Sequence, residues 1–209
     1  MRLTPLPPDQ WDDREREALA SAVPAERISG VGVGNLVATL VRHPMLTRAY
    51  LPFGFYLQRD STLPPRLREM VILRVAHHTH CEYEWAHHVG LGRQVGLSDA
   101  DIAAATADYG DDGRAAPALR AVDELLTGFR VSDATWTALA EYLDERQCMD
   151  LVFTIGGYLL LAAGINTFGV QPEDQHWRDA AHGLDESQGR SPHEGACRDA
   201  QPPQGNNGT

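Results

Sequence analysis

Residues 63–97, LPPRLREMVILRVAHHTHCEYEWAHHVGLGRQVGL, read as two helices joined by a short polar break, and this pair constrains the fold more than any other stretch. Leu63-Pro64-Pro65 opens the first helix, since proline is tolerated in the first turn, where its missing N–H has no intrahelical partner to lose. Met70 to Ala76 is apolar apart from Arg74. A helix apolar on nearly every side has to be enclosed by other elements. The second helix spans about 82–95 and stops at Gly96, a residue suited to the left-handed conformation that ends helices. Its head is crowded with ionisable groups. Five of the nine histidines, one of the three cysteines and three glutamates fall between Glu69 and His88.

The rest of the chain supplies more helices. The predicted elements are a short charged helix over 12–23, one over 36–41 capped by Asn35 and ended by His43-Pro44, and an apolar-aromatic one over 45–59. A helix over 101–107 opens on a capping-box-like Ser98-Asp99-Ala100-Asp101, an amphipathic helix covers 117–129, and Ser132 caps a helix over 134–143. A long apolar helix covers 146–163. No segment alternates at period two over a strand length, so the expected fold is all-α, a single-domain helical bundle. The expected organisation is an N-terminal extension at 1–30, a domain at 31–184 and a disordered tail at 185–209, where Gly, Pro, Gln and Asn replace periodicity. Residues 24–35 and 108–113 read as loops.

Composition closes off several functions. All eighteen basic residues are arginine, so neither lysine Schiff-base chemistry nor a P-loop lysine is open to this chain. A net charge of −11 with no basic run disfavours nucleic acid and anionic membranes as partners. The stretch Met149–Val170, interrupted by Asp150, Gly156, Gly157, Gly164 and Asn166, reads as a buried helix rather than a membrane span. Three cysteines, with neither CxxC nor a secretory leader, point to a reducing cytoplasm.

Helical spacing puts Cys81, Glu84 and His88 on one side of the second helix, with Trp85 and Gly92 on the same stripe. Glu69, among apolar neighbours on the first helix, faces His88 or Glu84 and would serve as general acid or base if its pKa is raised. The plain alternatives are a salt bridge for Glu69, a small buried hydrophobe for Cys81, and surface or capping roles for His77, His78, His80 and His87. Arg74 is more often the neutraliser of a buried carboxylate than a substrate ligand, and Tyr83 and Trp85 more often wall than chemistry. Glu84-x-x-His87 has the spacing of di-iron bundles, but no second such motif accompanies it, and the His-Cys cluster lacks a downstream pair for zinc. No metal is expected.

These residues resemble the carboxymuconolactone decarboxylase-like family, which includes alkylhydroperoxidase D-type proteins. The marks are Leu63-Pro64-x-Arg66-x-Arg68-Glu69, then Cys81-x-Tyr83-Glu84-Trp85, His88 and Gly96-Leu97-Ser98, with looser likeness at Asn35, His43-Pro44, 121–125 and Asn166-x-Phe168. The resemblance implies an all-α domain of the alkylhydroperoxidase D-like type, assembled as homo-oligomers, trimers or hexamers, and working on a small-molecule substrate. The decarboxylase branch uses neither metal nor organic cofactor. In the peroxidase branch a CxxC pair is served by a relay glutamate and histidine; on that pattern Glu69 and His88 match the relay and Cys81 the first cysteine. Glu84 stands in the slot of the second cysteine, and Tyr83 in that of an intervening histidine. A two-cysteine cycle therefore lacks its partner thiol.

The expected site is Glu69, Cys81, Glu84 and His88 as catalytic groups, with Arg66, Arg74, Tyr83 and Trp85 as substrate-binding candidates. The expected activity is cofactor-independent proton chemistry on a small carbonyl or carboxylate compound, of lyase or isomerase type. Two alternatives stay open: thiol-dependent peroxide reduction through Cys81, and a non-catalytic assembly or binding protein whose polar cluster pairs off internally.

Overall fold

Apolar faces at helical spacing decide the architecture. In the structure, a computed structural model, the described residues are 1–20, 22–25, 28, 33–107 and 115–173. Their regular elements are all helical: α1 (Asp13–Ala20), α2 (Gly34–Leu40), α3 (Pro44–Phe55), α4 (Pro65–His78), α5 (Glu82–Gln94), α6 (Asp99–Ala104), α7 (Ala116–Gly128), α8 (Asp133–Ala140) and α9 (Glu145–Phe168), with a 3-10 turn at Pro8–Gln10 and a π-helical turn at Tyr56–Asp60. They belong to one unit, Met1–Glu173. The loop expected over 108–113 and the tail from residue 185 lie outside the described residues, as does part of the loop expected over 24–35.

α4 is the centre. Every residue from Leu67 to Ala76 is buried, as its apolar run requires. α5 and α9 pack on it, as does α7. Val71, Ile72 and Val75 of α4 join Leu151, Ile155 and Tyr158 of α9 and Ala118, Ala121 and Val122 of α7 in the largest core cluster. Burial of an aliphatic side chain such as Ile72 contributes about 1.5–3 kcal/mol. On another side of α4, Met70 and Leu73 pack with Leu97, Ile102 and Leu119, with Trp85 against them.

Helix ends follow local chemistry. Ser98 and Asp144 form reciprocal capping boxes with Asp101 and Gln147, and Ser132 accepts from the Thr135 N–H. Gly96 ends the α5 turn at φ 85°, where a Cβ would be strained. At the α4 end the left-handed residue is His80, φ 51°.

Asn35 does not cap α2 as the sequence suggests. Val33 holds the cap position, because the Asn35 amide is drawn to the Gln171 carbonyl, 2.9 Å away. His43 caps α3 instead, accepting from the Leu46 N–H. α9 runs on to Phe168, beyond its expected end, and Asn166 donates to the Thr79 carbonyl at the foot of α4. By length and composition α9 could cross a membrane, yet half of its apolar window is buried against the rest of the chain. Its outer side exposes Met149, Phe153 and Leu160, and Phe53 of α3 meets Phe153 edge to face.

Candidate active site

α4 and α5 run side by side, and their facing positions carry the polar groups that the apolar surroundings would otherwise exclude. Glu69, Cys81, Glu84 and His88 are all at most 5% exposed. His88 Nδ1 lies 2.7 Å from Glu69 Oε2, so α4 and α5 are joined by a buried carboxylate–imidazole pair. Burial alone would raise the Glu69 pKa. The His88 imidazole and the Arg68 guanidinium together outweigh it and hold the carboxyl below its ordinary value. A carboxylate can only accept, so Nδ1 carries the proton of this hydrogen bond and Nε2 is the nitrogen left to take or give a proton.

Glu84 sits one helical turn before His88 and is in the opposite condition. Both its carboxyl oxygens are buried with no hydrogen-bond partner among the described residues. Burial pushes its pKa up to about 8, against a smaller downward pull from the Cys81 thiol beside it. Near neutral pH it is a neutral carboxylic acid. Cys81 is itself pushed up to about 12, by burial first and then by the Glu84 carboxyl. A thiol in that state is a weak nucleophile.

Two tyrosines complete the wall, and neither stands out in the sequence. Tyr158 of α9 meets the His88 ring edge-on at 5.0 Å, and its hydroxyl pKa is raised well above the usual value by burial and by Glu69 and Glu84. Tyr50 of α3 is likewise raised, by burial and by Glu84. Both are aromatic positions at core spacing, which a single sequence does not separate from packing residues.

The structure does not gather every candidate at this site. The Arg74 guanidinium grips Asp123 at 2.8 and 2.6 Å and reaches the carbonyls of Ala105 and Ala107. Arg66 is half exposed and bonded to Asp101 and the Gly96 carbonyl. The arginine at the site is Arg68, whose Nε donates to Glu69 Oε1 at 3.3 Å. The offset between Arg66 and Arg68 is two residues, about 200° around the helix. Trp85 lies partly buried over Met70 and Leu73 and lines a cavity of about 280 Å³ with His77, His80 and Thr106.

Tyr83 and His87 form a separate cluster on the neighbouring face of α5. Their rings stack with centroids 4.4 Å apart, and both reach Glu173, Tyr83 Oη at 2.9 Å and His87 Nε2 at 2.5 Å. The Asn35 backbone N–H is the third donor to Glu173, at 2.5 Å. No local motif marks Glu173, which follows α9 far along the chain, and sequence reasoning misses it. Among the described residues no group of three His, Cys, Asp or Glu is placed to hold a metal ion.

Residues 44–124 match the model of the Carboxymuconolactone decarboxylase family. Over that segment the chain is similar to this family. The match runs from α3 into α7 and takes in Glu69, Cys81, Glu84 and His88. Comparison with curated proteins yields no match. Solved structures share the fold. An uncharacterized peroxidase-related protein from Ralstonia eutropha, described as an alkylhydroperoxidase AhpD core, superposes with a TM-score of 0.67 at 20% identity over 85% of this chain and 96% of its own. A peroxidase-related protein from Silicibacter sp. gives 0.68 at 16% identity over 84% and 94%. The debrominase Bmp8 gives 0.64 at 18% identity over 88% and 96%. At these identities the likeness is one of fold, and the matched segment lies within that shared helical fold.

Proposed function

We propose that the chain is a cofactor-independent acid/base enzyme acting on a small carbonyl or carboxylate compound, of lyase or isomerase type. The observation that carries this reading is Glu84: a buried carboxyl with no hydrogen-bond partner, protonated near neutral pH, one turn from a histidine already oriented by a second carboxylate. An unpaired buried carboxyl destabilises the fold. A general acid poised near the working pH is what such an arrangement serves.

In a decarboxylation, the electron pair of the breaking C–C bond moves into an adjacent carbonyl as carbon dioxide leaves. The Glu84 carboxylic acid then delivers its proton to the carbanionic carbon. The resulting Glu84 carboxylate recovers a proton through His88, whose ring the Glu69 carboxylate orients. In an isomerisation, His88 Nε2 removes the carbon-bound proton, the Glu84 carboxylic acid delivers its own proton to another carbon, and the Glu84 carboxylate is then reprotonated from His88. Cys81 stands beside Glu84 and lines the cavity of about 280 Å³ that it shares with Trp85, His77 and His80. The thiol-dependent alternative is disfavoured by a Cys81 pKa near 12 and by Glu84 in place of a second thiol. The all-internal alternative is disfavoured by Glu84, since that reading needs its oxygens paired.

A cysteine-to-alanine variant of the debrominase Bmp8 is known in complex with 2,3,4-tribromopyrrole, which supports a small-molecule pocket on this fold. The exposed Met149, Phe153 and Leu160 of α9 form the face we assign to homo-oligomer assembly, tested by light scattering of the chain with Phe153→Glu.

The test of the chemistry is hydrogen–deuterium exchange. A panel of lactone acids and keto acids is incubated with the protein in deuterium oxide and followed by proton NMR. Exchange at the carbon next to the carbonyl in wild type, lost in Glu84→Gln with assembly intact, is the expected result. Undiminished exchange in Glu84→Gln removes Glu84 from the mechanism.

A further inference from the structure

We infer that Arg68 is the anion anchor of this site, holding a carboxylate of the substrate between its terminal guanidinium nitrogens and the Tyr158 hydroxyl. The inference rests on the acid/base reading above and narrows the substrate to a small acid whose carboxylate lies beside the reacting carbon.

Arg68 is 9% exposed, low for a guanidinium. Its hydrogen bond among the described residues is Nε to Glu69, which leaves both terminal nitrogens without a partner there. Those nitrogens are the outer edge of a planar fork that matches a carboxylate with two parallel hydrogen bonds. A salt-bridge role alone would turn that fork toward Glu69; here only the inner nitrogen meets it, at 3.3 Å. The chain of contacts is continuous: Arg68 to Glu69, Glu69 to His88, His88 to Tyr158.

A second set of groups points to the same place. On α9, Thr154 lies one turn before Tyr158 and on the same face. Its hydroxyl is buried without a partner, as are both oxygens of Glu84. Native interiors pair nearly all buried polar atoms, so the unpaired groups of Glu84 on α5 and Thr154 on α9 are ones that a bound polar ligand would satisfy. Glu84 held neutral does not repel an anion there, and Arg68 supplies the one uncommitted positive edge among the site groups described above. Arg66 and Arg74 are committed to Asp101 and Asp123.

The probe pair is benzoate and its neutral isostere benzamide, titrated into the full chain near neutral pH by calorimetry and saturation-transfer NMR. Wild type should prefer benzoate by about tenfold or more, the scale of a charge-assisted pair. Arg68→Met should lose that preference, and Arg68→Lys should keep only part of it, because the ammonium retains the charge without the fork. Arg66→Met should keep it in full. Should Arg68→Met fail to fold, Arg68→Gln takes its place with the same expected loss. A preference that survives removal of the Arg68 charge, or that is absent from wild type, overturns the assignment. Benzoate bound at Arg68 by a chain with no Glu84-dependent exchange keeps the anchor and removes the acid/base reading. Exchange without the benzoate preference removes the anchor alone.

Discussion

His87 and His88 are neighbours on α5, yet their imidazoles close on carboxylates from different parts of the chain: His87 Nε2 on Glu173 at 2.5 Å, and His88 Nδ1 on Glu69 at 2.7 Å. Successive residues on a helix point about 100° apart, so one helix turns its reactive face to α4 and the adjoining face to the segment after α9. The first pair is fully satisfied, with Tyr83 and Asn35 also donating to Glu173. The second stands beside an unsatisfied Glu84. Saturation marks the structural pair and deficit the chemical one.

Glu173→Gln should lower stability by about 2 kcal/mol, the scale of hydrogen bonds to a charged group. Urea unfolding measures this directly. Burial would raise the Glu173 carboxyl, but the His87 imidazole and the Asn35 N–H hold it below its ordinary value. Its contribution is therefore present above the ordinary carboxylate range and lost as pH falls below it. Unfolding curves of Glu173→Gln and wild type should converge in acid. A gap that widens there contradicts the assignment.

Glu84 reverses that slope. In the folded chain it keeps its proton to about pH 8, whereas the free side chain ionises near 4.5. Between those values the folded state binds the extra proton, so stability falls as pH rises through the window, by on the order of a few kcal/mol. Glu84→Gln should flatten this decline. Infrared spectra should show a protonated carboxyl in wild type near neutral pH that is missing from the variant.

Cys81 should behave as a sluggish thiol. With Cys148 and Cys197 replaced by serine, its alkylation by iodoacetamide should stay slow well past the ordinary thiol pKa of about 8.5, because the thiolate forms only near 12. Peroxide consumption should be absent. Fast alkylation at neutral pH, with peroxide turnover, would restore the thiol mechanism.

Gly157 marks where α9 touches the π-helical turn. A Cβ there collides with Leu57 Cδ1, and Leu57 is buried. Gly157→Ala should destabilise by about 1–3 kcal/mol through overpacking. Adding Leu57→Ala should recover part of that loss, which a double-mutant cycle in urea reads. Strict additivity would show that the two sites do not meet.

Much of the site was legible because a helix has one strong period. Spacing alone put Cys81, Glu84 and His88 together, and Gly96 and Ser98 fixed where α5 stops and α6 begins. What escaped depends on azimuth or on distance along the chain. Arg66 and Arg68 are equivalent in a linear motif, but only the second turns inward. Tyr50 and Tyr158 come from helices whose order in space no local signal gives. Asn35 has the composition of a cap and lost that role to a carbonyl on the far side of the chain, at Gln171.

The distance between His87 and Glu173 also sets an order of events during synthesis. Their separation is 86 residues, so α5 leaves the ribosome well before the carboxylate that closes its Tyr83–His87 face. At ordinary elongation rates this gap lasts roughly 4 to 17 s. For that interval the nascent helix must keep two aromatic donors waiting, and a stretch translated long afterwards completes the seating of the helix that carries Glu84 and His88.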